Sequence, residues 1–337
     1  FDREALLGVS ITGWMNNPDI LFDERILQKG AEIVKEVNRE VAKIIKINPA
    51  ARTTCVKPSG NASVLLQTAS GIHAEHSNMY IRNVQMNKES EITQAIMKTN
   101  PYMVEDSVWS AGGTDVVVSF PILPKKGSMY KDDLLGVKHL ELVKKAQKHW
   151  VEAGTNEDLC ADKGVRHNVS NTIIVDNWEE VEKYVFENRH SFAGISFLAM
   201  TGDKDYNQAP NTAVITAKDM VKKYGNAAVF ASGMVVDALK CFNNLWDACS
   251  TAKGFGEDLS LESSENAMKR DWIRRFGKFA DNYLKSDTLL AEHCLKDAYL
   301  LHKWNKIQST LKTVDWKEDI KERKYTDVDT LAAAACA

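Results

Sequence analysis

The sequence predicts an α/β fold followed by a helical region. Three observations carry that reading. Short apolar runs with strand character alternate with helical stretches over the first 216 residues, the order that builds a mainly parallel sheet. Two of those runs, 115–120 (DVVVSF) and 194–200 (GISFLAM), are continuous rather than alternating, as strands buried on both faces are. From about Ala217 the strand signals stop, and apolar residues recur at helical spacing instead.

The elements follow in order. Ile26, Gly30, Val34, Val37, Val41 and Ile44 recur three and four apart, which predicts an amphipathic helix of about twenty residues. A short β-prone stretch at 53–56 leads into the turn KPSG at 57–60, and a helix starts near Asn61 and runs to Gln67. The stretch 79–86 (MYIRNVQM) alternates loosely, as a strand does. Helices are expected at 134–151 and 179–188, and strands at 115–120, 169–175 (VSNTIIV) and 194–200. In the later part Met268, Trp272, Phe276, Phe279 and Tyr283 share one helical face, and 289–311 forms another helix. The last stretch, KERKYTDVDTLAAAACA, is polar and then alanine-rich, and reads as a mobile tail. The organisation expected is thus an α/β part at 1–216, a helical region at 217–320 and a tail at 321–337. No internal repeat or low-complexity linker is present in the sequence.

Composition narrows the function classes. Hydrophobic residues make up 44% and charged residues 26%, an ordinary globular mixture. The net charge of −3 gives no broad field for nucleic acid or a membrane surface, so neither partner is expected. No apolar run approaches the ~20 residues needed to span a bilayer. The opening residues, FDREALLGVS, lack the basic and apolar regions of a leader, and a chain starting on Phe1 is expected to be a piece of something longer. The six cysteines, Cys55, Cys160, Cys241, Cys249, Cys294 and Cys336, contain no CxxC pair, which argues against a zinc ribbon or a thioredoxin-like motif. Scattered thiols point to a reducing compartment, hence a cytoplasmic location. No metal is expected, and the triplets at Asn61 and Asn168 that look like glycosylation acceptors are accidents of composition.

KPSGNAS (57–63) is the first candidate for chemistry. The turn lies between a strand and a helix start, where free N–H groups and the helix dipole favour an anion. Gly60 permits close backbone approach to a ligand, and Ser59 and Ser63 offer hydroxyls. It is not a Walker A loop, because no GK[ST] follows. On spacing alone the segment is either a plain turn or a phosphate seat. His73 and His76 flank Glu75 in GIHAEHS, an arrangement open to metal binding with Glu75 as a base, or to an ordinary loop role. His167, just before a strand, fits a cleft mouth or a cap. Cys55, Cys160, Cys241, Cys249 and Cys294 default to core thiols, whereas Cys336, in the tail, has no packing reason to be there and suits redox exchange. The basic residues Lys269, Arg270, Arg274, Arg275 and Lys278 form a solvated helix face or a docking surface. The polar loop GDKDYNQAPN (202–211) follows a strand, where α/β proteins place ligands.

Taken together, these segments resemble a known family. ARTTCVKPSGNASVLLQTASGIHAEHSNMYIRNVQM is similar to the substrate-phosphate segment of ribonucleotide reductases, and its KPSG and GIH forms are most similar to the adenosylcobalamin-dependent class II enzymes. LLGVSITGW (6–14), HNVSNTIIVDNWEEVEKYVFENR, GISFLAM, DYNQAPN and DTLAAAACA resemble further family segments in the family's own order, nearly across the whole chain. The HNVSNT and helical C-terminal segments resemble most closely the monomeric branch that uses triphosphates. The resemblance implies a ten-stranded α/β barrel, of which 1–216 would be the second part. It implies reduction of a ribonucleoside triphosphate or diphosphate by thiyl-radical chemistry with adenosylcobalamin as cofactor. Pro58, Ser59, Gly60, Asn61, Ala62 and Ser63 would then seat the substrate's phosphates. Cys336 would be a tail thiol relaying electrons from thioredoxin or a similar dithiol donor.

The chain departs from the family pattern in one large respect. The radical cysteine and the base glutamate belong to an Asn-Pro-Cys-x-Glu loop that this sequence does not contain, and both are expected upstream of Phe1, in a missing N-terminal half. The active-site cysteine pair is expected there too, and the second tail cysteine is absent. The alternatives are a class I large subunit, a non-catalytic nucleotide-binding relic and, more weakly, a cobalamin mutase, whose Asp-x-His-x-x-Gly motif is absent.

Overall fold

A computed structural model describes residues 4–200, 206–254 and 264–316. The strands, in chain order, are β1 (Ala5–Ser10), β2 (Ala50–Cys55), β3 (Tyr80–Asn87), β4 (Val104–Asp106), β5 (Asp115–Ile122), β6 (Ile173–Val175), β7 (Phe197–Ala199) and β8 (Asn211–Ala213). The α-helices are α1 (Pro18–Leu21), α2 (Glu24–Ile45), α3 (Gly60–Leu65), α4 (Glu91–Thr99), α5 (Gly136–Ala146), α6 (Trp178–Glu187), α7 (Ala217–Tyr224), α8 (Ala227–Cys241), α9 (Leu245–Lys253), α10 (Ser264–Tyr283) and α11 (Thr288–Thr310). The chain divides into two compact units, one drawn from Phe1–Tyr80 and Leu123–Lys204, the other from Ile81–Ile122 and Asp205–Ala337.

In the first unit β1 runs parallel to β2, with Ala5 opposite Ala50 and Val9 opposite Thr54, and β6 runs parallel to β7, with Ile173 opposite Phe197. A single parallel bridge joins Val56 to Val169. All six β2 residues are buried, although three of them are polar. Their polar atoms are satisfied as burial requires. Thr53 Oγ1 donates to the Gly154 carbonyl (2.8 Å), Thr54 Oγ1 to the Trp150 carbonyl (2.7 Å) and Arg52 Nε to the Val165 carbonyl (2.9 Å). The core around them holds Trp14, Leu27, Val56, Ile72, Leu140 and Ile173.

Helix α2 forms where the spacing predicts it. Asp23 caps its start, accepting from Arg25 N at 2.9 Å and Ile26 N at 3.0 Å, and Lys46 ends it in the left-handed conformation with φ 59°. The face turned inward is Leu27, Ala31 and Ala42, however. The apolar stripe expected to be core is exposed at Ile26, Val37, Val41 and Ile44. Small side chains line the inward face, which lets the helix lie close to Ala50, Ala51 and the rest of β2. Strands β1 and β7 each pair on one side only among the described residues, and Leu6, Leu7, Phe197 and Leu198 are exposed.

The second unit holds a four-stranded sheet in the order β4-β5-β3-β8. Here β4 and β5 are antiparallel, with Val104 opposite Val118 and Asp106 opposite Val116. This pair departs from the parallel order expected, which β1–β2 and β6–β7 keep. The stretch 107–114 turns the chain straight back, with Gly113 at φ 63° and Ser107 N donating to the Asp115 carbonyl at 3.1 Å. A tight reversal of that kind can only join antiparallel neighbours. After β8 the described residues contain helices and no strand. Trp272, Phe276 and Phe279 of α10 enter a core with Ala231, Val235 and Leu295, while Met268 is half-exposed and Tyr283 stacks on Phe230 at 4.5 Å. The α/β class holds. The eight described strands, in sheets of two, four and two, do not by themselves close a ten-stranded barrel.

Candidate functional site

The KPSG turn leaves the sheet directly from the buried end of β2. Val56 is fully buried and Lys57 is exposed; Lys57 N donates to Ser10 Oγ at 2.9 Å, which ties the turn to the end of β1. Pro58 has no N–H and a fixed φ. Ser59 takes the left-handed conformation, φ 51° and ψ 37°, as the N-cap of α3. Gly60 begins the helix and faces open space: a Cβ added there would meet no atom within 4 Å. Asn61 and Ala62 continue it. The first amides of any helix have no intrahelical acceptor, so the backbone of 60–62 offers donors at the start of α3, where Gly60 and Ala62 are exposed. α3 has six residues, and its dipole is correspondingly small. The anion-binding capacity of this turn therefore rests on the amides.

The two serine hydroxyls are engaged within the protein. Ser63 is buried and donates to the Gly60 carbonyl at 2.8 Å. Ser59 Oγ lies 2.5 Å from Thr12 Oγ1 and accepts from Gly71 N at 3.3 Å.

Behind the turn lies a return loop, 68–71, that the residue pattern did not single out. Ser70 Oγ donates to the Pro58 carbonyl. Gly71 has φ 53°, and a Cβ on it would come within 2.5 Å of the Lys57 carbonyl oxygen. Gly13, at φ 75°, would similarly collide with the Thr68 hydroxyl. Thr12 bridges the layers, donating to the Ala69 carbonyl (3.0 Å) and accepting from Gly71 N (2.9 Å). Asn16, 4% exposed, fixes the same loop from beneath. The ITGW and GIH glycines are thus what close approach between two backbone layers requires.

The other candidates are placed as follows. Glu75 is buried and accepts from Asn16 Nδ2 (2.8 Å) and the Tyr80 hydroxyl (3.1 Å), the posture of an anchor. His73 Nδ1 pairs with the Ser70 carbonyl at 3.0 Å, its ring stands edge-on to His139, and burial pushes its pKa down. His139 is pushed down to about 4, first by burial. No group of three metal-ligating side chains occurs among the described residues. His167 pairs with the Thr54 carbonyl at 3.0 Å, a tie onto β2. Cys55, Cys160, Cys249 and Cys294 are buried and Cys241 is half-buried, all free thiols; burial raises the Cys55 pKa and pushes Cys249 and Cys294 up to about 12. On α10, Arg275 pairs with Asp237 (2.8 Å) and Arg274 with Asp271 (2.5 Å), so the basic face is partly neutralised. Tyr206, Gln208 and Pro210 line a cavity of about 330 Å³ with Asn83, Gln85 and Trp109. Cys336 and 202–205 lie outside the described residues.

Comparison with known proteins gives the following. No protein-family model matches the chain. A protein of Dictyostelium discoideum named a probable adenosylcobalamin-dependent ribonucleoside-triphosphate reductase is 28% identical over 123 residues, 36% of this chain and 16% of that protein. The adenosylcobalamin-dependent ribonucleoside-triphosphate reductase of Euglena gracilis is 23% identical over 218 residues, 63% of this chain and 28% of that protein. A solved B12-dependent class II ribonucleotide reductase aligns with a TM-score of 0.49 and 17% identity, over 58% of this chain and 26% of the other. The aligned stretches span less than a third of these curated relatives. In sequence, parts of the chain are similar to parts of two proteins named as adenosylcobalamin-dependent ribonucleoside-triphosphate reductases, one of them as probable.

Proposed function

We propose that this chain is the C-terminal part of an adenosylcobalamin-dependent reductase that converts ribonucleoside triphosphates to 2′-deoxyribonucleotides, and that its 58–63 segment seats the substrate's phosphates. The observation that carries the reading is the KPSG turn itself: amides at 60–62 that a helix start leaves without intrahelical acceptors, open space over Gly60, and a backing made by 68–71. Pro58, Ser59, Gly60, Asn61, Ala62 and Ser63 have separate parts in it. Pro58 and Ser59 set the backbone course, Gly60, Asn61 and Ala62 present N–H donors, and Ser63 closes the first helical turn. Fixing the phosphates fixes the ribose, and such positioning supplies several kcal/mol of a barrier.

The reacting groups lie elsewhere in this reading. A thiyl-forming cysteine and a glutamate base in an Asn-Pro-Cys-x-Glu loop come from an N-terminal portion, which also completes a ten-stranded barrel. The one-sided strands β1 and β7 and the exposed stripe of α2 suit a chain continued by further polypeptide. Residues 1–216 would belong to that barrel, 217–320 to a helical region and 321–337 to a tail whose Cys336 exchanges electrons with thioredoxin or a similar dithiol.

Adenosylcobalamin, when bound, supplies radical initiation. Three cavities among the described residues, each about 320–340 Å³, are the size for one small ligand and too small for a corrinoid, so none of these three is its seat.

The test is to sequence the transcript upstream of the Phe1 codon and assay the encoded intact protein for triphosphate reduction with adenosylcobalamin. An open frame carrying Asn-Pro-Cys-x-Glu, with reduction that requires the cofactor, is the expected result. A protein that binds ribonucleoside triphosphate and never reduces it would replace this reading with a nucleotide-binding one.

A further inference from the structure

Asn16 has a role that neither the sequence pattern nor the comparisons assign. Its side chain is buried and makes four hydrogen bonds. Oδ1 accepts from Thr68 Oγ1 at 2.5 Å and from Ala69 N at 2.6 Å, while Nδ2 donates to Glu75 Oε1 at 2.8 Å and to Ser128 Oγ at 3.0 Å. An amide can do little more, since it has two donors and one acceptor oxygen with two lone pairs. Three separate stretches of chain, 68–69, 75 and 128, meet on this one group.

The stretch 68–71 is also what the KPSG turn rests on. Ala69 holds Thr12 through its carbonyl, Thr12 lies against the Ser59 hydroxyl, Ser70 holds the Pro58 carbonyl and Gly71 packs under Lys57. Displacing Thr68 and Ala69 therefore moves the support of Ser59 and Pro58 together.

We propose that Asn16 is a positioning residue for the phosphate seat, holding the 68–71 loop so that the amides of 60–62 stay aimed at a polyphosphate. It touches neither substrate nor reacting atoms. The inference rests on the phosphate reading of 58–63. It adds a second requirement: the seat must be held by a polar group nearly sixty residues away from Glu75 in sequence. The neutral amide supplies two N–H donors and an acceptor oxygen with two lone pairs from one short side chain. Asn16→Asp keeps the acceptor toward Thr68 and Ala69 and places a carboxylate against Glu75. Glu75→Gln in the same protein returns a donor to that pair.

The experiment measures the affinity of the intact protein for inorganic tripolyphosphate by calorimetry. Asn16→Asp should weaken binding about tenfold, the effect of one buried hydrogen bond turned to repulsion, and Asn16→Asp with Glu75→Gln should restore it to within about twofold. Thr68→Val, which removes one donor to Asn16 and changes no charge, should weaken binding roughly three- to tenfold. A loss confined to Asn16→Asp, with Thr68→Val binding normally, would assign the effect to charge and overturn the positioning role. If the unaltered protein and Gly60→Val both fail to bind tripolyphosphate, the phosphate reading itself fails. If Gly60→Val loses binding while all Asn16 and Thr68 variants keep it, only the positioning role fails. Should Asn16→Asp not fold, Thr68→Val carries the test alone.

Discussion

Gly60→Val separates binding from stability at the KPSG turn. The new side chain would project where no protein atom lies within 4 Å, and Gly60 is at the first position of α3. Nothing in the fold is crowded by it, so the stability change stays within about 1 kcal/mol, the span of helix propensities. A bound polyphosphate would meet the two γ-methyls. Each hydrogen bond from an amide to a charged oxygen contributes about 1.5–3 kcal/mol, so losing one weakens affinity roughly 10- to 150-fold. Calorimetric titration with a ribonucleoside triphosphate reads the affinity, and thermal denaturation of the same sample reads the stability. The expected result is a large loss of the first with the second nearly unchanged. Unaltered affinity would refute the phosphate seat. A large fall in melting temperature would refute the claim that Gly60 is free of packing demands.

Gly71→Ala should do the reverse in the absence of ligand: its φ of 53° and the 2.5 Å approach to the Lys57 carbonyl predict a loss of roughly 2–4 kcal/mol from left-handed strain and overpacking, read by urea denaturation. The buried His139, whose pKa falls from the ordinary 6.5 to about 4, binds its proton more readily in the unfolded chain. Its contribution is therefore present above pH 6.5 and lost as pH falls toward 4, by at most about 3 kcal/mol. His139→Gln, whose amide can still donate to the Ile72 carbonyl, should flatten that part of a stability–pH curve, leaving the part due to His73, whose pKa burial also lowers. Iodoacetamide at pH 8 without denaturant should modify Cys241 before Cys249 or Cys294, whose buried thiols are pushed up to about 12; mass spectrometry that found Cys249 modified first would contradict the burial described.

Local signals carried much of the fold. The three- and four-residue spacing located α2, and the continuous run DVVVSF located β5. The burial of α2 was not legible, because the covered face, Leu27, Ala31 and Ala42, adjoins the larger apolar stripe, and spacing alone does not say which is covered. Strand β4 is three residues long, too short to stand out, although the Gly112-Gly113 pair after it was a readable turn signal. The stretch 169–175 has strand composition, but only Ile173–Val175 pairs with β7. Asn171 Nδ2 donates to the Val169 and Gly194 carbonyls, and such side-chain bonds compete with ladder pairing. At the site, the turn was visible from Pro58 and Gly60. Its supports were not, since Thr12, Asn16 and Ser128 lie 47, 59 and 112 positions from the groups they hold. No local pattern reports a contact at that separation.

The one-sided strands have a consequence for handling the protein. Among the described residues, strands β1 and β7 have no strand partner on one side, and leucine and phenylalanine side chains lie beside that edge. Edges of that kind template pairing with other chains. With those edges open, this polypeptide should associate as its concentration rises, and lysines introduced at Leu6 and Leu198 should make it easier to keep in solution.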